Sequence, residues 1–403
     1  GHVETGWLET VLQQHKDARY KLVLGHHPVY PINGYSGSYQ REIGHEYSAH
    51  FWDILVRAGM RKLISQRLTA PEAVDGELRS RRYSQWLDQL RASPIAVETQ
   101  AANQQHYEVP AEFFALHLGP RLKYSCALYP RGDESLAEAE ERMLSLYAER
   151  AGLRDGMRIM DLGCGWGSLS LWLAERYPNA QIVGLSNSHG QREFIEARAR
   201  ERGFRNLRVL TGNIVDFDYP AAAPAHPAPA ALAHPCAAAG VEAGFDRVMS
   251  IEMFEHMRNY GLLLAKISRW LKPEGRLFVH IFAHKLLSYP YEVKDETDWM
   301  TQYFFLGGIM PSENLLLNFQ DDLKVERQWW VSGRHYERTS NHWLAGMDAA
   351  KAQIMPVFAK AYGKDAAVWF QRWRMFYMAV AEFFGYAGGN EWGVAHYLFA
   401  PRR

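Results

Sequence analysis

The stretch SIEMFEHM, residues 250–257, places two carboxylates, Glu252 and Glu255, beside an imidazole, His256, within five positions. On a helix or helical turn the i,i+3 and i,i+4 spacings bring all three to one face. A solvated, salt-bridging face would be the plain reading of such a cluster, but Met253, Phe254 and Met257 make the turn too apolar for it. A partly buried Glu or His can have its pKa moved to suit proton abstraction, and paired carboxylates attract a cation. The pattern predicts acid–base chemistry, on a substrate that carries positive charge.

A second constellation lies about ninety residues upstream. The apolar run Arg158–Leu162 passes directly into Gly163-Cys164-Gly165-Trp166-Gly167, and a helical pattern follows at once. Glycines let a backbone turn sharply and approach a ligand at the carboxyl end of a first strand, where open α/β sheets bind nucleotides. The loop reads GxGxG and not GxGxxG, and the chain holds no GxxxxGK[ST] for a triphosphate. Asp161, two residues before Gly163, can orient the loop or hold a cationic amino-acid ligand.

The elements that must position these groups alternate. Strands are expected over 158–162, 181–185, 207–210, 246–251 and 276–281, with helices over 168–177, 191–202 and 262–271 between them. Such alternation means an α/β fold, a mostly parallel sheet with helices on both faces. Between Trp369 and Phe384 the aromatics Trp369, Trp373, Phe376, Tyr377 and Phe384 recur at helical spacing, so one helix carries an aromatic face. Core packing is its ordinary use; lining a pocket for an aromatic or acyl substrate, or holding an ammonium by cation–π attraction, is the alternative.

The string DLGCGWGS, 161–168, resembles the first motif of class I S-adenosylmethionine methyltransferases, in the form found in the cyclopropane-fatty-acid synthase superfamily. That superfamily includes mycolic acid synthases and coclaurine N-methyltransferases. The resemblance spans roughly 60–403 and implies a Rossmann-like seven-stranded sheet with an antiparallel last strand at 394–399, and S-adenosylmethionine as cofactor. It implies cofactor contacts from Asp161, Gly163, Cys164, Gly165 and Trp166. Tyr124 and Ser125, of a YSC segment, would close over the methionine part. Many such enzymes carry an acid after the second strand, where this chain reads LSNS, 185–188; in this branch a polar residue such as Gln191, beside Asn187, takes that place. Asn213, in Gly212-Asn213-Ile214, would face the adenine.

The string IEMFEHM resembles the coclaurine-type segment at the substrate amine. It implies Glu255 and His256 as base or positioning groups, Glu252 in support, and methyl transfer to the nitrogen of a small, aromatic amine. GGIMPS (307–312), HYERTSNHWL (335–344) and FFGYAGGNEW (383–392) favour the same branch. Lipid-modifying relatives instead hold bicarbonate with a carboxyl, histidine and tyrosine set, whose counterparts here would be Cys126, Glu255, His280 and Tyr336. Methylation or cyclopropanation of an unsaturated acyl chain is thus the alternative activity.

Composition bounds the rest. Lys plus Arg equals Asp plus Glu, 45 each, so no global field attracts nucleic acid. The three cysteines suit neither a disulfide framework nor a zinc cluster, no metal site is expected, and a cytoplasmic setting fits best. No apolar run reaches membrane length. A homodimer is compatible with this composition. Residues 219–244 are nearly pure Ala and Pro and read as a disordered insertion, in which His226, His234 and Cys236 match no metal-ligand spacing. Residues 1–59, expected to hold a helix over 7–15 and a strand over 20–24, contain GHHPVYP at 25–31. That motif resembles part of a purple acid phosphatase-type metallophosphoesterase, but the partner ligands of a two-metal site are absent. A remnant at 1–59, a helical cap at 60–150 and a methyltransferase domain at 151–403 are expected, with Met60 as a natural start of the second unit.

Overall fold

The computed structural model describes residues 45–97, 109–219, 244–294 and 298–402, and the single residue Gln14. The expected elements at 7–15 and 20–24, the GHHPVYP motif and most of the Ala/Pro stretch lie outside the described residues.

Seven strands form one sheet: β1 (Arg158–Leu162), β2 (Gln181–Ser186), β3 (Leu207–Thr211), β4 (Phe245–Ile251), β5 (Leu271–His284), β6 (Leu323–Ser332) and β7 (Trp392–Pro401). Their order is β3-β2-β1-β4-β5-β7-β6. The first five run parallel, and β7 enters antiparallel between β5 and β6. The strand β6 was not among the expected ones. It is an edge strand with charged Lys324, Glu326 and Arg327 among its residues, which blurs the apolar pattern that reveals central strands.

Side-chain alternation splits the core into two layers. Ile159, Ile182, Met249, Phe278 and Phe282 point to one side, where they join α3 (Ala111–His117), α4 (Leu136–Ala151), α5 (Ser168–Arg176), α8 (Gly333–Ala349), α9 (Lys351–Tyr362) and α10 (Ala366–Gly385). Met160, Val183, Val248, Leu277 and Val279 point to the other, against α7 (Tyr260–Trp270) and α2 (Gly76–Ala92). Local signals set the helix ends. Ser135 and Glu138 form a capping box at the start of α4, and Gly152 closes it in the left-handed conformation. Ser188 caps α6 (His189–Glu201) by accepting the Gln191 N–H.

The helix α1 (His45–Leu68) runs straight through Met60. Upstream of that position, Asp53 pairs with Arg374 at 2.7 Å and Arg57 with Glu382 at 2.9 Å, both on α10. The boundary expected at Met60 therefore falls inside a helix whose earlier turns are tied to α10. Tyr219 and Gly244, the ends of the expected insertion, are both buried, and the Tyr219 hydroxyl accepts from Arg158 and Arg208.

Candidate active site

The β1–α5 turn has Gly163, Gly165 and Gly167 all at positive φ, +85°, +51° and +83°. Their uses differ. A Cβ on Gly163 would meet the Met253 side chain at 2.8 Å, and one on Gly167 would meet Ile195 at 2.6 Å, so both glycines allow close packing. A Cβ on Gly165 would meet nothing within 4 Å, and Gly165 lines two adjoining cavities. Gly165 leaves open space where a Cβ would stand; Gly163 borders the same two cavities but packs against Met253. Asp161 is buried, accepts from Ser170 Oγ at 2.6 Å, and is pushed up to about 6 by desolvation.

One cavity lies past β2 and β3, among Leu185, Asn187, Gln191, Asn213, Met253 and His256. Gln191 is buried, its Oε1 fixed by Ser186 Oγ at 2.7 Å; Asn187 is exposed at the rim. The Asn213 Oδ1 accepts the Val215 N–H, so this residue builds a turn as well as lining the cavity. The other cavity is lined by Tyr124, Ser125, Asp161, Cys164 and Trp166, and by Glu252, Glu255, Phe282, Tyr291, Phe305, Tyr336, Phe376, Phe383 and Phe384. Gly163, Gly165, Gln191 and His256 border both. The aromatic face of α10 divides its two expected roles by residue: Trp373 and Tyr377 are core, while Phe376, Val380, Phe383 and Phe384 line the cavity.

The SIEMFEHM segment is not one helical face. Glu252 stands alone after β4 at φ +49°, a conformation costly for a residue with a Cβ, and only Phe254–His256 form a helical turn. This backbone turns the Glu252 carboxylate into a cluster of donors. Oε1 accepts the Cys126 N–H at 2.9 Å and lies 3.0 Å from His280 Nε2; Oε2 accepts the Tyr336 hydroxyl at 2.6 Å. Cys126, His280 and Tyr336, which the resemblance grouped with Glu255, thus converge on Glu252, and the Cys126 thiol itself bonds to the Ala127 carbonyl. Glu255 is buried, and its Oε2 has no hydrogen-bond partner among the described residues. Desolvation pushes both carboxyls up, and Glu255 well up, since the Glu252 charge beside it adds to burial. His256 stacks on Phe305, centroids 6.1 Å apart and 5° from parallel.

Three polar groups of this site had no motif to announce them. Lys123 is buried, donates to Ser125 Oγ at 2.5 Å and the Cys126 carbonyl at 2.7 Å, and is pushed down to about 8 by burial, against an opposing pull from Glu252. Behind His280 stand His396 and Arg150, contributed by β7 and α4. A lysine one residue before the YSC segment was the available signal for the first; nothing local pointed to the other two. Among the described residues no group of His, Cys, Asp and Glu could hold a metal ion, and no helix is long and apolar enough to cross a membrane.

The chain matches the family model for mycolic acid cyclopropane synthetase over residues 96–221 and 237–385. It is 39% identical over 318 residues to (S)-coclaurine N-methyltransferase of Thalictrum flavum subsp. glaucum, covering 78% of this chain and 82% of that one. The corresponding enzyme of Papaver somniferum is 37% identical over 334 residues, 81% and 89% of the two chains. Among solved structures, coclaurine N-methyltransferase bound to N-methylheliamine and SAH superposes with a TM-score of 0.77 at 36% identity, over 86% of this chain and 94% of that one. With the sheet order, the glycine turn and the carboxylate-lined cavity, these matches place the chain in the mycolic acid cyclopropane synthetase family, as an S-adenosylmethionine-dependent methyltransferase.

Proposed function

We propose that this enzyme methylates the nitrogen of a small aromatic amine. The observation that carries this reading is that the Glu252 carboxylate fills the place on which the Cys126 N–H, His280 and Tyr336 converge, beside a second carboxyl, Glu255, with an oxygen left open. A side-chain anion there takes the donors that a lipid-modifying relative would spend on bicarbonate.

The residues fit S-adenosylmethionine. The space beyond Gly165 is open, Tyr124 lines the cavity with a buried hydroxyl that lacks a partner among the described residues, and the two cavities meet at Gly163, Gly165 and Gln191. Gln191, Asn187 and Asn213 would hold the nucleoside half. Gly165, Cys164 and Trp166, with Tyr124 and Ser125, would hold the methionine half, and Asp161 would keep the turn in shape. The cofactor supplies a methyl group on a positively charged sulfur, open to attack by a lone pair.

The chain's own groups prepare that lone pair. An ammonium substrate is drawn to the Glu252–Glu255 pair, and the aromatic wall of Tyr291, Phe305, Phe376 and Phe384 excludes water and favours a cation. Glu255, raised by burial and by the neighbouring charge, takes the proton on Oε2; the N–H electrons become the lone pair that forms the N–C bond as the C–S electrons return to sulfur. His256, half-buried at the junction of both cavities, carries the proton outward. Radiolabelled methyl transfer to a panel of aromatic amines and unsaturated phospholipids tests this reading. The expected outcome is label in the amine fraction of wild type, and a loss of roughly a hundred- to ten-thousand-fold in Glu255→Gln. Label in the lipid alone would refute it.

A further inference from the structure

Between the active-site carboxylate and the outside of the sheet runs a chain of hydrogen bonds that the reaction above does not use. Arg150 Nη1 lies 2.6 Å from His396 Nδ1, His396 Nε2 lies 2.8 Å from His280 Nδ1, and His280 Nε2 lies 3.0 Å from Glu252 Oε1. The fold builds it from three elements. His280 and His396 are direct partners in the antiparallel register of β5 and β7, and α4 brings Arg150 over them, together with Tyr147, whose hydroxyl is 3.0 Å from His280 Nδ1. Both imidazoles are fully buried.

The direction of every bond follows from its outer end. A guanidinium only donates, so His396 Nδ1 must accept and its proton sits on Nε2. That N–H points at His280 Nδ1, which must in turn accept, and the His280 proton therefore sits on Nε2, where it meets Glu252. Neither ring can take a second proton without setting two N–H groups against each other. The chain is thus a cation at one end, a carboxylate at the other and two neutral, aligned imidazoles between them. It cannot serve as a proton exit, because arginine accepts nothing.

We propose that Arg150 and His396 are positioning residues that lock His280 in the Nε2–H form and thereby hold Glu252 ionised, as the anion that draws the ammonium substrate. The other groups facing Glu252 are Lys123, Tyr124 and Cys126 from the segment before α4, Tyr147 on α4, Tyr336 on α8 and Glu255 on its own turn; Lys123, the Cys126 N–H and the Tyr336 hydroxyl favour the ionised form, and the Glu255 carboxyl opposes it. Burial, which pushes both imidazoles well below their ordinary value, acts in the same direction. The role in turnover rests on the amine reading above; the tautomer does not.

The test has two arms, on the full chain with bound S-adenosylhomocysteine. Long-range proton–nitrogen NMR of the labelled enzyme should show His280 and His396 both neutral and both protonated on Nε2. Arg150→Met keeps an apolar stem and removes the donor, together with the guanidinium that lies 5.0 Å over the Trp329 ring. It should abolish the single-tautomer signature at His280 and move the acid limb of kcat/KM for an aromatic amine upward by on the order of one pH unit. His396→Gln, whose amide can accept from Arg150 and donate to His280, should restore both readouts to within a few-fold of wild type, whereas His396→Phe should not. An Nδ1–H form of His280 in wild type, or an Arg150→Met enzyme with an unchanged tautomer and pH profile, would overturn the proposal. Should the amine reading fail and no amine be methylated, the NMR arm still decides the tautomer.

Discussion

Replacing Tyr336 by Phe removes one hydroxyl and leaves the rest of the wall in place. The ring stacks on Phe384 with centroids 4.4 Å apart and meets Trp343 edge-on at 6.1 Å, and phenylalanine keeps both contacts. What is lost is the 2.6 Å bond to Glu252 Oε2, a charge-assisted bond in a buried site. Such a bond contributes about 1.5–3 kcal/mol. At about 1.4 kcal/mol per pKa unit, its loss raises Glu252 by roughly one to two units. Burial has already raised that carboxyl, so a further rise leaves fewer molecules with it ionised at neutral pH, and kcat/KM at pH 7 should fall, by up to about ten- to a hundredfold. The sign is specific: a raised pKa moves the acid limb to higher pH, so activity should recover as pH rises, while calorimetry finds unchanged affinity for S-adenosylhomocysteine. An unaltered rate, or a loss equal at all pH values, would refute the reasoning.

The two glycines of the cofactor turn should separate binding from folding. Gly165→Val places a side chain in open space and should abolish S-adenosylhomocysteine binding by calorimetry with a small drop in Tm, whereas Gly163→Ala should chiefly lower Tm through its clash with Met253. His117, buried between the Phe113 carbonyl and the Tyr377 hydroxyl, is pushed down to about 4, below its unfolded value. Its contribution to stability is complete above that unfolded value and is lost as pH falls toward 4, by at most about 3 kcal/mol; urea midpoints at pH 7.5 and 4.5 should differ less in His117→Gln than in wild type. Removing residues 1–59 takes Asp53 from Arg374 and Arg57 from Glu382, and should cost about 1–3 kcal/mol of stability, read as a lower Tm and a weakened acceptor site.

The cofactor half of the molecule was legible because its signals are local. The strand–GxGxG–helix passage is contiguous, and β1 to β5 carry apolar runs bounded by turn residues, so sheet and cavity wall follow from short windows. The acceptor half was legible in its parts and not in its assembly. Glu252, Cys126, His280 and Tyr336 were all singled out, yet the helical reading of SIEMFEHM put Glu252 on one face with Glu255 and His256, and the resemblance gave it a supporting role. A positive φ at one residue, which no side-chain pattern announces, turns its carboxylate into the donor cluster. Lys123, Arg150 and His396 become functional neighbours through the antiparallel entry of β7 and the packing of α4, contacts more than a hundred residues apart for two of the three. The boundary at Met60 rested on a change of composition; α1 continues through it because a helix is held by its contacts with α10 as much as by its own sequence.

The most direct test of the account is the rate of methyl transfer to an aromatic amine, measured in carbonate-free buffer and again with added bicarbonate. With Glu252 filling the anion place, wild type should form the N-methyl product at the same rate in both. Turnover that requires bicarbonate would mean that Glu252 does not fill that place, and would contradict the account.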